Sequence, residues 1–247
     1  MDSSPNSTWK RKVEQKYNKG IAYPRYNVNW LRIYDTLNRL GWSGLVGVIT
    51  SADEFRFILD NYDKLKQWDV QKVFEKACTR GYVNVVLQLF PVINPANNSN
   101  ISIITACKYG HYEIAALLLN DSRVDPASQN NNAIIAACIG NHADTAELLL
   151  KDNRVDPSVN DNVIIKEIYS IVLGTIGFIY RKLHPRGEFS LANIILKYGD
   201  VMNMIPPEEV NNFINYFRIM AMLLKDPRVR DTLDPQLMSK YSAYLGG

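Results

Sequence analysis

The stretch that begins at Leu117, LLLNDSRVDPASQNNNAII, returns at Leu148 as LLLKDNRVDPSVNDNVII, an offset of 31 residues. The same offset sets Ile103 on Ile134, Ile104 on Ile135, Ala106 on Ala137, Cys107 on Cys138, His111 on His142 and Glu113 on Asp144. Arg123-Val124-Asp125-Pro126 falls on Arg154-Val155-Asp156-Pro157. Gly110 falls on Asn141, an exchange between two residues that tolerate the left-handed conformation closing a helix. A weaker copy lies upstream at an offset of 29 residues: Phe74, Ala77, Cys78, Gly81, Val85, Leu89 and Phe90 match Ile103, Ala106, Cys107, Gly110, Ile114, Leu118 and Leu119. A period near 31 is the mark of stacked supersecondary units, each too small to bury its apolar face alone.

Each copy reads as two helices. Ile103, Ile104, Ala106 and Cys107 give a short first helix that Gly110 breaks. Glu113 to Leu119 gives a second, with its acid in the first turn, where the helix dipole favours negative charge. Asp121 to Asn132 is turn chemistry: Asp, Ser, Pro and a run of Asn. ACKYGHYEIAALLL and ACIGNHADTAELLL together resemble the ankyrin repeat family and its A-x-x-x-G-H-x-x-x-V-x-x-LLL pattern. The resemblance covers about residues 70–165. It implies that Ala106 and Ala137 pack between helices, and that Gly110 and His111 form the turn between them. The T-P-L-H start of the family's first helix is replaced by NISII and NNAII, joined to a D-x-R-V-D-P loop. That variant is similar to the divergent ankyrin arrays of giant DNA viruses and some amoebae.

The expected fold is therefore all-α: an ankyrin-type helix-pair solenoid over 51–247 with an N-terminal helical segment over 1–50. Clear repeats occupy 70–165, and divergent, extended repeats occupy 166–247. In NDNVIIKEIYSIVLGTIGFIY a first helix is elongated; RKLHPRGEFS interrupts, and LANIILKYGD suits a second helix. AMLLKDPRVRDTL then echoes ELLLKDNRVDPSV at an offset of 74, which two periods and 12 inserted residues reconcile as an extended fourth unit and a divergent fifth. Upstream, Ser51 or Asp53 is placed to cap a helix carrying Phe55, Ile58 and Leu59, the remnant of a capping unit.

The first fifty residues follow another design. Trp9, Val13 and Tyr17 share a helical face, as do Trp30, Ile33, Tyr34 and Leu37. The pattern W-K-x-x-x-x-x-x-Y followed by N-W-x-x-I-Y resembles the segment after the F-box in substrate adaptors of ubiquitin ligases, although no F-box motif precedes Trp9. That resemblance implies a ubiquitin-ligase component as a partner. Lys10, Arg11, Lys12, Lys16, Lys19 and Arg25 interleave with Trp9, Tyr17, Tyr23 and Tyr26, a mixture that also suits single-stranded nucleic acid. The formal net charge of +3 argues against nucleic acid.

The start of the chain carries no apolar secretory core. Ile168–Tyr180 is 13 residues long, against the roughly 20 that a membrane span needs. The expectation is an intracellular, cytoplasmic protein in which Asn6-Ser7-Thr8 and Asn97-Asn98-Ser99 are not glycosylated. Cys78, Cys107 and Cys138 occupy one repeated position and read as buried small hydrophobes rather than a disulfide or zinc site. His111 and His142 read as turn residues. His184 lies in a basic loop with Arg181, Lys182 and Arg186 that is read as solvated surface. GWSGLVG from Gly41 lacks the Gly-Lys-Ser/Thr ending of a phosphate-binding loop and reads as a turn. No nucleophile–base pairing or hydrolase motif occurs, so the expectation is no enzyme, no metal and no cofactor. What remains is a protein-interaction module whose contacts use positions outside the core pattern: Lys108, Tyr109 and Tyr112, with Gln129, Asn130, Asn160 and Asp161 in the loops.

Overall fold

The computed structural model describes residues 5–17, 28–61, 65–183 and 207–236. These residues are helical with no strand, and they fall into two compact units, Met1–Asn97 and Asn98–Gly247. The architecture is an all-α helix-pair solenoid with an N-terminal helical segment.

The first unit begins with α1 (Pro5–Tyr17), which packs on α2 (Trp30–Val48). Val13 is fully buried, Trp9 sits 5.4 Å from Tyr34 between ring centroids, and Lys12 lies 4.0 Å over the Trp9 ring. Asn29 caps α2 by accepting the Arg32 N–H at 3.0 Å. The glycine-rich stretch is helical rather than a turn, with a kink at Gly41 alone (φ 67°). Trp30 meets Phe57 edge-on at 5.5 Å and Trp42 stacks on it at 5.8 Å, which ties α2 to α3 (Ala52–Leu59). Ser51 caps α3 through a capping box with Glu54, two mutually satisfied helix-end donors. The Glu54 carboxylate is buried yet pairs with Arg32 and accepts the N–H groups of Thr50 and Ser51. Burial raises its pKa, but these hydrogen bonds and the guanidinium outweigh that and hold it below the ordinary value.

α4 (Gln67–Arg80) and α5 (Val83–Leu89) form the helix pair of this unit, and a 3-10 turn, Phe90–Val92, follows. Gly81, at φ 74°, closes α4 in the left-handed conformation. Phe74, Ala77 and Cys78 are fully buried. In the loop that follows, Ile93 and Pro95 are buried, and Asn94 Oδ1 accepts the Ala96 N–H at 3.1 Å.

The second unit holds the pairs α6 (Asn97–Lys108) with α7 (Tyr112–Leu119) and α8 (Ser128–Ile139) with α9 (Ala143–Leu150). After them come α10 (Val159–Leu183), α11 (Pro207–Lys225) and α12 (Pro227–Arg230). The repeated residues form the core: Ile103, Ala106, Cys107, Ile114 and Leu118 in one pair, Ile134, Ala137, Cys138, Ala146 and Leu149 in the next. The three repeated cysteines are buried thiols. Loss of water pushes the Cys107 thiol up to about 12, and burial raises Cys138 as well, so neither ionises near neutrality.

The Asn-rich loop is more specific than turn chemistry. Asn98-Ser99-Asn100, Gln129-Asn130-Asn131 and Asn160-Asp161-Asn162 all have φ between 52° and 62°, one left-handed turn before each right-handed first helix. Left-handed winding costs an ordinary residue roughly 1–2 kcal/mol, and Asn and Asp are the side chains that visit it most readily. The third residue of each triplet, Asn100, Asn131 or Asn162, is buried. Asn100 Oδ1 accepts the Asp125 N–H at 2.9 Å, and Asn131 Oδ1 accepts the Asp156 N–H at 2.7 Å. Asp125 and Asp156 in turn accept the N–H two residues on, at 3.0 and 2.9 Å. The Asn run therefore starts a helix and pins the next loop.

The C-terminal arithmetic differs from the sequence expectation. Arg154 donates to Val124 O at 2.9 Å and Leu119 O at 3.0 Å, reaching back one unit. Arg228 donates to Val155 O at 2.7 Å and Leu150 O at 2.8 Å in the same way. Arg228 is thus one unit beyond Arg154, not two. The offset of 74 exceeds one period of 31 by 43 residues, and among the described residues α12 carries the bonds that reach back to the unit of Arg154. LANIILKYGD, His184 and most of RKLHPRGEFS lie outside the described residues. Ile168 and Val172 of α10 are buried, and no described helix is long and apolar enough to cross a membrane.

Candidate partner-binding surface

The two edges of the second unit are built by different repeated residues. At the edge where paired helices join, Gly110 and Asn141 occupy the left-handed turn, at φ 69° and 64°. His142 lays its ring against Gly110. A Cβ at Gly110 would stand 2.4 Å from His142 Nδ1, so only glycine admits the ring. His142 Nε2 lies 3.0 Å from Lys108 O, and because a carbonyl only accepts, Nε2 carries the proton. Burial lowers the His142 pKa, and the charge of His111 adds to this against the opposing bond to Lys108. The histidine is a bridge between repeats. In the fourth unit Tyr216 replaces it, donating its hydroxyl to Ile139 O at 3.0 Å. Arg218 of the same helix grips Asp144 at 2.6 Å and Glu147 at 2.5 Å on α9.

Lys108 and Tyr109 end α6 on this edge, and both are exposed; the Lys108 ammonium lies 5.7 Å over the Tyr109 ring, and His111 is 6.2 Å from it. Tyr112, 47% exposed, opens α7 instead and lines a shallow recess of about 270 Å³ with Asp144, Glu147, Leu148 and Lys151.

The opposite edge carries the loops. Gln129 Nε2 and Ser128 Oγ donate to Ser99 O at 2.9 and 3.1 Å, joining one left-handed turn to the next. Gln129, Asn130, Asn160 and Asp161 are all exposed, and Asp161 pairs with Lys166. All seven residues singled out in the sequence therefore reach solvent, but they do not form one patch. Lys108 and Tyr109 stand at the end of a first helix and the loop residues at the start of one. A right-handed stretch of eight residues separates such positions by about 12 Å. Trp68 escaped the sequence reading. It is 49% exposed on α4, with Lys72 Nζ 3.8 Å over its ring. Its signal was present: a Trp outside the apolar pattern set by Val70, Val73, Phe74 and Ala77.

Among the described residues no group of His, Cys, Asp and Glu is arranged to hold a metal ion. Residues 74–161 match the family model described as ankyrin repeats (3 copies). No curated protein and no solved structure matches the chain.

Proposed function

We propose that the chain is a non-catalytic protein-interaction module that works inside the cell, with the edges and first-helix faces of its repeats as the contact surface. Ankyrin repeats are in general protein–protein interaction modules. One observation carries the reading for this chain. The recurring residues are spent on the scaffold: Ala and Cys in the core, Asn131 and Arg154 between units, His142 across the turn. The residues that vary beside them, Lys108, Tyr109, Tyr112, Gln129, Asn130, Asn160 and Asp161, are exposed. A rigid frame with a variable, solvated edge is how a solenoid recognises a partner. Tyrosine contributes large contact area for little ordering cost, so Tyr109 and Tyr112 are the strongest single contributors. The test is affinity capture with mass spectrometry, using wild type, Tyr109→Ala and Gln129→Ala. Partners retained by wild type and lost by the variants support the reading; an unchanged partner list refutes these sites.

A second reading, an adaptor or decoy of a ubiquitin ligase, draws on the N-terminal segment. Trp9 and Tyr34, the two halves of the pattern that resembles an F-box tail, pack against each other at 5.4 Å. Co-purification of a ligase linker subunit with the full chain tests it, and absence of that subunit removes it.

A further inference from the structure

We infer that the exposed ridge of α4 formed by Trp68, Lys72, Lys76 and Arg80 docks an extended acidic segment of another protein, with an apolar residue of that segment lying against Trp68. These four residues follow one another at intervals of four, the ridge that winds along a helix surface. Trp68, Lys72 and Arg80 are exposed and Lys76 is half-exposed. Lys72 stacks over Trp68 at 3.8 Å, and Lys76 Nζ is anchored to Gly47 O at 2.7 Å. No carboxylate among the described residues pairs with any of the three cations. The two acids on the same helix are engaged elsewhere: Asp69 is buried and accepts Ser43 Oγ at 2.6 Å, while Glu75 accepts Gln71 and Asn97. The Lys76 pKa is lowered by burial and then by the charges of Arg80 and Lys72, so the cations repel one another. A row of like charges held in this way gains most from an added anion.

The spacing selects the form of that anion. Successive residues of the ridge rise about 6 Å along the helix. Alternate side chains of an extended chain advance about 6.7 Å. Carboxylates at every second position of a strand therefore keep step with Lys72, Lys76 and Arg80. At the head of the ridge Gln67 Nε2 holds Val92 O at 2.9 Å, which brings the 51% exposed Val92 to the same end of α4 as Trp68. That end is apolar, and it suits a hydrophobic residue flanking the acidic run. Single-stranded nucleic acid, the rival anion, is bound through aromatic platforms that repeat with the bases. This ridge has one aromatic residue, so it offers no such repeat.

The test is fluorescence anisotropy on the full chain with a labelled peptide carrying Glu at alternate positions and Leu at each end. The same peptide with Lys for Glu, and an oligo(dT) strand, are the comparisons. At about 50 mM salt, where the screening length is about 14 Å, the Glu peptide binds and the Lys peptide does not. Binding weakens about tenfold in the double variant K72E/R80E, and weakens in Trp68→Ala, with helical circular dichroism unchanged. Tyr109→Ala and Gln129→Ala leave it intact, so this inference and the reading of the repeat edges fail independently. Absence of Glu-peptide binding overturns the inference, as does equal binding by a folded K72E/R80E. Tighter binding of oligo(dT) than of the Glu peptide also overturns it and assigns the ridge to nucleic acid.

Discussion

Arg228 and Val155 are joined by a 2.7 Å hydrogen bond from guanidinium to main-chain carbonyl, across 73 residues of sequence. The same guanidinium reaches Leu150 O and is gripped by Asp226 at 2.6 Å, as Arg154 is gripped by Asp152 at 2.6 Å. The loops of Arg154 and Arg228 are clasps. In each the carboxylate fixes the planar fork, and the fork satisfies two carbonyls of the unit before it. Both carboxylates are held below their ordinary pKa by these arginines.

The clasp predicts the effect of removing it. Arg228→Ala leaves the Val155 and Leu150 carbonyls without this donor and loosens the packing of α11 and α12. With the side chain part-exposed, the expected loss is about 2 kcal/mol. Arg228→Lys recovers little of it, because a single ammonium cannot span two carbonyls as a fork does. Urea denaturation gives the loss, and hydrogen exchange locates it in α11 and α12. Wild-type stability in Arg228→Ala refutes the clasp.

Gly110→Ala tests the turn between α6 and α7. The position has φ 69°, and an added Cβ would stand 2.4 Å from His142 Nδ1. Backbone strain costs about 1–2 kcal/mol, and displacing the imidazole also breaks its bond to Lys108. The expected total is about 3 kcal/mol, read from denaturant midpoints. The opposite exchange at the same repeat position, Asn141→Gly, keeps the left-handed conformation accessible and costs far less.

These two sites show what was legible in the sequence. Helix pairs were readable because Ala106, Cys107 and Leu118 return after 31 residues as Ala137, Cys138 and Leu149, and burial is what makes residues return. The exchange of Gly110 for Asn141 was readable because few side chains accept positive φ. The position of the last unit was not readable by counting periods. The 43 extra residues obscure what α11 and α12 pack against, and the bonds of Tyr216 to Ile139 and of Arg228 to Val155 show it. The Asn run disclosed a turn, but its left-handed winding depends on bonds to loops 25 residues away. Exposure of the candidate contact residues followed from their place outside the core pattern. Their division between opposite edges did not, because sequence spacing alone says nothing about which end of a helix faces which partner.

His142 gives the solenoid a pH dependence of known sign. Burial and the neighbouring His111 disfavour its charged form in the folded state, so its pKa lies below the ordinary value of 6.5. The unfolded chain then takes up the proton first as pH falls. Stability contributed by neutral His142 is complete above about pH 6.5 and declines below it, until the folded form also titrates. Denaturant midpoints measured from pH 7.5 to 5.5 should fall, and His142→Gln, which cannot titrate, should flatten that slope. An equal slope in the variant shows that another group is responsible.

Asn131 separates the two roles given to the left-handed triplets. Its φ is 57° and its Oδ1 accepts the Asp156 N–H at 2.7 Å. Asn131→Ala loses the acceptor and keeps the backbone strain, for an expected cost of about 2–3 kcal/mol. Asn131→Gly loses the same acceptor but relieves the strain, so it should cost about 1 kcal/mol less than the alanine variant. Asn131→Asp preserves an acceptor and should stay nearer to wild type than either. The order Asp, Gly, Ala in urea midpoints is therefore specific to a buried acceptor on a left-handed backbone. If glycine proves worse than alanine, the position is not left-handed in solution and the winding of the loop is refuted. If aspartate proves as costly as alanine, the bond to Asp156 is not what holds the next loop.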